Sequence, residues 1–440
     1  MGNFIYYPMT QYHIILSFIL REKNKAHSNS IILDENCFSK SFINRVIRSN
    51  GWEHVYVLKK YPRLQNFTNR NLLYKVKYDE IFNIKHANFV FFTFGGNFSN
   101  LLANSVYKNN NILMGEDGVF PYYGLDIVKE YYNNLKNEPN INKLKRFVKR
   151  KINAKIEFNI QRIDKLLLLK PEWLPQEVIS QYEIVQISVE QKAIQKVFNE
   201  LTCLFEYKKE HIFNGIDIVY FDSDLSLIGN ITGREEYLKL FKIFTQLHDA
   251  KIFIKLKPTN NYAIIGQRQS IFDALQKDTK CNFVISNPQT NYPWEIVYFN
   301  NATDLREVTF MSPNFSTALI SQKIFFGLEN NVICLRNIFV NEFKNSIAYE
   351  SVTKLMERIR GSCLLKNIYT PESYEEINKM SGSGKTGQCH KWEKLLYNAS
   401  KKRNEEALYE QKTEKESCPG IQGESSPGSI EREPTGGLGS

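Results

Sequence analysis

The chain has 440 residues, of which 42% are hydrophobic and 24% charged; this excludes a wholly disordered protein and predicts two domains plus appendages. Lysine and arginine outnumber aspartate and glutamate by 57 to 47, and the formal charge of +10 favours polyanionic partners such as nucleotides, anionic lipids or nucleic acid. The seven cysteines show no CxxC spacing, which argues against a zinc site or a disulfide framework and fits a reducing compartment.

The N-terminal segment predicts a first strand and helix of a cytoplasmic protein. Its apolar run Ile14–Leu20 is too short to span a bilayer, and neither a basic region nor a small-residue cleavage site frames a signal peptide.

The first 180 residues alternate short apolar segments with helical stretches, which is typical of βαβ units and a mostly parallel sheet. A linking helix is predicted over Val189–Glu206. The predicted strands of this first series are Asn3–Tyr7, Ile31–Asp34, His54–Leu58, Asn88–Phe94, Ile112–Met114 and Lys165–Leu169.

A second series of similar size follows, so the sequence predicts two doubly wound, Rossmann-like α/β domains facing across a cleft, with ligands beyond the carboxyl ends of the strands. The expected boundaries are 1–185, 186–378 and a low-complexity, largely disordered tail over 379–440. The predicted strands of the second series are Asp217–Phe221, Lys251–Leu256, Asn282–Ser286, Arg306–Phe310, Ile324–Gly327 and Val332–Leu335.

Two adjacent carboxylates, Glu116 and Asp117, come directly after a predicted strand and are flanked by Gly115 and Gly118. Like charges this close raise the pKa of one member, so one carboxylate can act as a general base towards a hydroxyl. An ordinary acidic turn explains the same residues equally well. The segment is therefore a candidate for catalysis, and the two interpretations stay open.

A cation stands at the end of another predicted strand, where Leu256 is followed by Lys257 and Pro258. A lysine at a strand terminus can meet the phosphate of a nucleotide. A solvated lysine before a turn proline is the simpler interpretation of these residues alone.

Hydroxyl side chains surround the predicted start of a later helix, at Ser312, Ser316 and Thr317. A helix that opens in this way offers free backbone N–H groups and the positive end of its dipole to a phosphate. A plain helix N-cap made by Ser312 or Asn314 without a ligand is equally compatible.

Two further positions of the first domain, Gly95 and His13, are weighed as candidates. Gly95 follows a strand and allows close approach of the backbone to a ligand, although a plain turn is an adequate explanation. His13 begins an apolar helix, and we expect it to be a buried histidine with satisfied hydrogen bonds rather than a catalyst.

The order and spacing of these motifs resemble bacterial sialyltransferases of the lipooligosaccharide and capsule type, glycosyltransferase family 52, and the related polysialyltransferases. Those families carry an acidic-acidic-Gly motif, then a His-Pro motif, then a Ser-Ser/Thr pair. The opening Thr10-Gln11-Tyr12-His13-Ile14 is also similar to their first strand-to-helix junction. The resemblance extends from about Met1 to Asn345 as motif order, not as close identity.

This resemblance implies a GT-B fold, in which the N-terminal domain faces the acceptor and the C-terminal domain binds the nucleotide sugar. It implies metal-independent, inverting transfer of sialic acid from CMP-sialate to a terminal sugar of a bacterial surface polysaccharide or lipooligosaccharide, without a cofactor. Asp117 or Glu116 would be the base, and Ser316 and Thr317 would bind the phosphate. The motif positions Thr10, Gly118, Pro258 and Ser312 are further expected binding residues. Gly95 is added to them because of its place after a predicted strand, not because of the resemblance.

The chain departs from the family at Lys257, which stands where the family has the histidine of its His-Pro motif. A lysine can hold the leaving phosphate by its charge, but near neutral pH it is a poorer proton donor than histidine. The departure leaves two alternatives open, a hexosyltransferase that uses a UDP- or GDP-sugar and a non-catalytic capsule-assembly protein.

A competing motif is Asp222-Ser223-Asp224, because Asp-x-Asp after a strand is the metal and nucleotide site of the GT-A class of glycosyltransferases. Here a metal would be held by Asp222 and Asp224. In a GT-B frame the same loop faces the cleft, so Asp222 or Ser223 would contact donor or acceptor, and Asp222 is an alternative base.

The expected partners are a sugar-nucleotide donor and a glycan or lipid-linked glycan acceptor. The basic run Lys143–Lys151 has interleaved apolar residues, so it allows docking on an anionic membrane surface and a peripheral location on the inner face of the membrane. The resemblance also allows a homodimer. Nucleic acid is not expected, because no recognition fold accompanies the positive charge.

Overall fold

The computed structural model describes residues 2–59, 77–94, 97–125, 158–188, 190–209, 211–223, 232–247, 249–257, 262–286, 292–327, 329–340, 348–361 and 367–381. The basic run 143–151 lies outside these residues. Of the predicted tail, only 379–381 fall within them, at the end of the last helix.

The first sheet has seven parallel strands in the order β3-β2-β1-β4-β5-β6-β7. Helices described along this part of the chain are α1 (Gln11–Lys23), α2 (Lys40–Arg48), α3 (Asp79–Phe82), α4 (Asn97–Val106) and α5 (Gln176–Ile179). The strands are β1 (Asn3–Tyr7), β2 (Ser28–Asp34), β3 (Val55–Leu58), β4 (Ala87–Phe91), β5 (Asn111–Gly115), β6 (Lys165–Leu168) and β7 (Glu183–Gln186).

The second sheet has six parallel strands in the order β10-β9-β8-β11-β12-β13. Its strands are β8 (Ile218–Phe221), β9 (Lys251–Lys255), β10 (Asn282–Ile285), β11 (Thr309–Ser312), β12 (Val332–Cys334) and β13 (Ile368–Tyr369). The helices of this part are α6 (Gln191–Leu204), α7 (Gly233–Thr245), α8 (Tyr262–Asp278), α9 (Trp294–Asn300), α10 (Thr317–Phe326), α11 (Ala348–Gly361) and α12 (Tyr374–Ser381).

Both sheets start with the Rossmann strand order 3-2-1-4-5-6, so the predicted pair of doubly wound domains is confirmed and has the architecture of the GT-B class. The order reverses between β1 and β4 in the first sheet and between β8 and β11 in the second. Loops that leave the carboxyl ends of strands at these reversals are where ligands bind in such folds.

One predicted strand is wrong. Residues Ile324–Gly327 form the end of α10 and its C-cap, where Gly327 has a φ of 65°. The run Ile324-Phe325-Phe326 is apolar because this helix is buried nearly all round, and a short apolar run cannot distinguish a buried helix from a strand. The strands β7 and β13 were not predicted.

Helix α6 connects the two domains. It packs on α1 and α2 of the first domain and on α9 of the second domain. Arg21 of α1 pairs with Glu200 of α6 at 2.5 Å, and Phe198 of α6 packs on Phe299 and Phe326. The predicted domain boundaries at residues 185 and 378 stay predictions. Near the first of them, α6 has contacts with helices of both domains.

Helix α11 returns from the second domain to the first. Arg358 donates from Nε to the carbonyl of Trp173 at 2.9 Å and from a terminal nitrogen to the carbonyl of Tyr122 at 2.8 Å. In the part of the chain that is described, no helix has the length and apolar character needed to cross a bilayer.

Candidate functional site

A histidine in the first turn of α1 and an aspartate in the loop after β5 meet at the carboxyl edge of the first sheet. Thr10 caps α1 by accepting the N–H of His13 at 3.2 Å, which fixes His13 in the first turn of the helix. The N–H of Met9 donates to Nδ1 of His13 at 3.2 Å. Because that N–H can only donate, Nε2 carries the ring proton and donates it to Oδ1 of Asp117 at 2.7 Å.

The imidazole is fixed from both sides. His13 is fully buried and stacks on Phe92 with ring centroids 4.9 Å apart and an interplanar angle of 13°. Gly115 makes room for this stack, since a Cβ at that position would lie 2.6 Å from the Phe92 ring. The expectation that His13 is buried and satisfied is met, but one of its two hydrogen bonds goes to the candidate base.

Asp117 combines an oriented carboxylate with access to solvent. Its side chain is 33% exposed, and His13 holds Oδ1. No donor among the described residues binds Oδ2. An oriented, accessible carboxylate with a free oxygen can accept the proton of an acceptor hydroxyl.

Glu116 has the opposite character, and the structure argues against it as the base. The carboxylate is fully buried, accepting the Tyr12 hydroxyl at 2.8 Å, the Leu169 N–H at 2.9 Å and a short bond from the Tyr122 hydroxyl. Burial raises the pKa of Glu116 to about 7, although these three donors lower it. With three donors on its two oxygens, Glu116 joins the start of α1 to the segments that follow β5 and β6 instead of facing an acceptor.

The second domain contributes the start of α10 to the same place. The N–H of Val119 donates to Oγ1 of Thr317 at 3.1 Å, and a Cβ at Gly118 would overlap that oxygen. Ser316 occupies the N-cap position without a side-chain hydrogen bond to the helix. Its hydroxyl and the first N–H groups of α10 therefore lie next to the Asp117 loop, in the arrangement that binds a phosphate.

Ser312 adds a buried hydroxyl without a partner. It is the last residue of β11, the strand that leads to α10, and it is 1% exposed. Its Oγ has no hydrogen bond to the described part of the chain. Buried polar groups are rarely left unpaired, so this hydroxyl supports a ligand site at the end of β11.

Lys257 is not brought into contact with the Asp117 loop. It follows β9 and is exposed. In the sheet, β8 separates β9 from β11, which corresponds to about 10 Å between the ends of β9 and β11. The predicted positions Pro258, Gly95 and Asp224 lie outside the described residues.

Asp222 is committed to a buried ion pair, which corrects its predicted roles in metal binding, substrate contact and base catalysis. Its two oxygens accept bonds of 2.9 and 2.5 Å from Arg268, whose third nitrogen lies 2.7 Å from Glu236. Although burial lowers the pKa of Arg268, the charges of Asp222 and Glu236 raise it above its ordinary value. Ser223, the residue after Asp222, is half-buried.

Among the described residues, no group of three or more histidine, cysteine, aspartate or glutamate side chains is arranged to hold a metal ion. An Asp-x-Asp metal site needs both carboxylates to bind the ion, but both oxygens of Asp222 already accept hydrogen bonds from Arg268.

Arg336 is a candidate binding residue that the sequence did not identify. Arg336 follows β12 at the carboxyl edge of the second sheet and is nearly fully buried. Arg336 comes directly after the predicted strand Val332–Leu335, as Lys257 comes directly after Lys251–Leu256, so the same pattern of a cation beyond a strand end could have identified it.

No protein-family model matches the chain, and no curated protein matches it in sequence. Solved structures similar to it include Arabidopsis thaliana UGT89C1 complexed with UDP, at 9% identity and a TM-score of 0.48, covering 88% of this chain and 91% of that one. A glycosyltransferase from Rickettsia africae has 11% identity and a TM-score of 0.39, covering 86% and 93%. The UDP-N-acetylglucosamine 2-epimerase of Rickettsia bellii has 13% identity and a TM-score of 0.40, covering 87% and 94%. Likenesses at this level assign no activity.

Proposed function

We propose that the protein is an inverting glycosyltransferase that moves a sugar from a nucleotide-sugar donor to a hydroxyl of an acceptor, without a metal. One observation carries the proposal. The loop with Asp117 touches the first turn of α10, and this contact between the two Rossmann-like domains supports a proposed base in the loop and a proposed phosphate site at the start of α10.

In the proposed reaction, Oδ2 of Asp117 takes the proton of the acceptor hydroxyl while Oδ1 stays bonded to His13. The acceptor oxygen forms a bond to the anomeric carbon of the donor sugar, and the bond from that carbon to the phosphate oxygen breaks. The leaving phosphate keeps the electron pair. Its charge is stabilised by the N–H groups at the start of α10 and by the hydroxyls of Ser316 and Thr317. A single displacement of this kind inverts the anomeric configuration.

For the donor we propose CMP-sialate, and the support is the order of the acidic-acidic-Gly and Ser-Thr motifs. CMP-sialate carries a single phosphate, which the proposed phosphate site at the start of α10 would hold. Lys257 is proposed as an additional charge near the phosphate. It has no described contact with the Asp117 loop, so its role is secondary to that of α10.

The test is an assay of nucleotide release on the full chain, with CMP-sialate, UDP-hexoses and GDP-hexoses, each with an acceptor panel and with EDTA. We expect CMP to be released from CMP-sialate in the presence of EDTA. Asp117→Ala should reduce turnover by about 10²- to 10⁴-fold, the range typical of a lost general base.

Asp304→Ala is the matched control. The Asp304 side chain is 29% exposed and pairs with a lysine, as Asp117 pairs with a histidine, but Asp304 comes before β11, on the amino-terminal side of the second sheet. Its loss should leave turnover unchanged. Release of UDP or GDP instead of CMP would reassign the donor, and no release from any sugar nucleotide would refute the proposal.

A further inference from the structure

Arg336 is a buried cation without a carboxylate partner in the described part of the chain. It lies in a 3-10 helix after β12 and is 3% exposed. A terminal nitrogen donates to the Tyr349 carbonyl at 2.5 Å, and the guanidinium carbon lies 4.3 Å from the centre of the Tyr349 ring. Among the residues that the structure describes, no acceptor binds its Nε. A buried charge without a counter-ion costs free energy, and a bound anion would remove that cost.

The position of Arg336 relates it to the site already described. In the sheet β12 pairs with β11 so that Cys334 lies opposite Ser312, and Arg336 is two residues beyond that pair. Arg336 is therefore next to the segment that leads from β11 into α10. Both this cation and the unpartnered hydroxyl of Ser312 belong to the same edge of the second sheet.

Tyr123 lies near both Arg336 and the candidate base Asp117. Burial raises the pKa of the Tyr123 phenol, the charge of Asp117 raises it further, and the charge of Arg336 lowers it. The phenol thus lies within electrostatic range of both residues. Since Tyr123 belongs to the first domain and Arg336 to the second, the guanidinium lies close to the segment of the first domain that carries Asp117.

We propose that Arg336 binds a second negative group of the donor, beside the phosphate at the start of α10. This inference rests on the proposed function and specifies the class of donor further, as a nucleotide sugar with two anionic groups. Two donor chemistries fit, the carboxylate of CMP-sialate and the second phosphate of a nucleoside diphosphate sugar. A guanidinium binds either one through paired N–H groups.

The experiment measures dissociation constants of CMP, CMP-sialate, UMP and UDP by calorimetry on the full chain. In the wild-type protein, preference for CMP-sialate over CMP identifies the carboxylate, and preference for UDP over UMP identifies the second phosphate. Arg336→Met should weaken the preferred two-anion probe by about 10- to 100-fold, as expected for a lost charge-assisted hydrogen bond. The matching one-anion probe should be nearly unaffected.

Three controls separate binding from folding. Arg45→Gln removes the same charge from α2, where Arg45 pairs with Glu206, and should leave all four dissociation constants unchanged. Arg336→Met should unfold at or above the wild-type temperature without ligand, because an unpaired buried cation is replaced by an apolar chain. Arg336→Lys keeps the charge without the paired N–H groups, so its loss of affinity should be intermediate.

Equal weakening of one-anion and two-anion probes, or no weakening, would overturn the role of Arg336 and leave the proposed function standing. A marked loss of stability in ligand-free Arg336→Met would show a structural role and overturn it as well. If the wild-type protein binds none of the four nucleotides, the proposed function fails together with this inference.

Discussion

Gly118 and Thr317 approach so closely that any side chain at position 118 would overlap Oγ1 of Thr317. The two residues belong to different domains, and Gly118 has a φ of 58°, in the left-handed region that disfavours residues with a Cβ. The glycine therefore permits both the turn after Asp117 and the contact with the first turn of α10.

This relationship predicts that Gly118→Ala impairs activity strongly. The added methyl group must displace Thr317 or separate the two loops, and the left-handed backbone adds about 1–2 kcal/mol of strain. We expect turnover to fall by at least about tenfold, a change that corresponds to 1.4 kcal/mol in the activation barrier. Gly215→Ala is the control, since Gly215 has a φ of 70° with nothing within 4 Å of an added Cβ. That variant should lose similar stability and keep its activity; equal activity in both variants would contradict the prediction.

His13→Gln is expected to lower kcat with little effect on KM, because in the proposed mechanism His13 positions the Asp117 carboxylate through their hydrogen bond and is not part of the substrate site. Loss of a positioning hydrogen bond to a catalytic group should reduce kcat by about 10- to 100-fold, which steady-state kinetics measures directly. His27→Gln is the comparison, since His27 also accepts a backbone N–H, from Gly2, at 3.2 Å and has no described contact with Asp117. A rise in KM at constant kcat would instead place His13 in substrate binding.

Asp222→Ala should destabilise the protein, and it should not abolish the activity, because we do not expect Asp222 to bind a catalytic metal. Removing one partner of the buried Asp222–Arg268–Glu236 group should cost about 3 kcal/mol in the free energy of unfolding, measured by urea denaturation. Residual activity should be insensitive to EDTA. The metal interpretation predicts the reverse, namely a stable variant that has lost activity and a wild-type protein that EDTA inhibits.

Glu116 should make the stability of the protein depend on pH. Its pKa is raised to about 7 in the folded state because burial disfavours the charged form. The folded state therefore binds the proton more strongly than the unfolded state, and the stability from Glu116 is present below about pH 4.5 and is lost as the pH rises to about 7.

The comparison is between the wild type and Glu116→Gln, with the free energy of unfolding followed from about pH 4 to pH 8. The difference between the two proteins should change by about 3 kcal/mol across this range, in favour of the Gln variant at high pH. Parallel curves would show that Glu116 does not titrate in this window.

The strand-and-helix alternation was readable from the sequence because short apolar runs between helical patterns are a local property. Thus β1, β9 and β12 were placed within two residues at each end. The failure at Ile324–Gly327 has the same origin, since a local run of apolar residues is also what a fully buried helix requires. Strand β7, with half its residues exposed, carried too weak a pattern to be recognised.

The candidate site was predictable only in part. Asp117, Ser316 and Thr317 stand directly beyond strand ends, and the topology of a doubly wound sheet places such residues at one edge. The sequence could not rank Glu116 against Asp117, because the difference lies in Tyr12, Tyr122 and Leu169, which come from three separate segments.

By itself the sequence determined that two parallel α/β sheets form, and that acidic and hydroxyl residues follow their strands, because periodicity and strand ends are encoded locally. Only the tertiary structure decided which side chains are available for chemistry. His13 reaches Asp117 across 104 positions of the chain, and Arg268 occupies Asp222 across 46. Such partners are determined by how distant segments pack together, and the residues adjacent in sequence do not encode that packing.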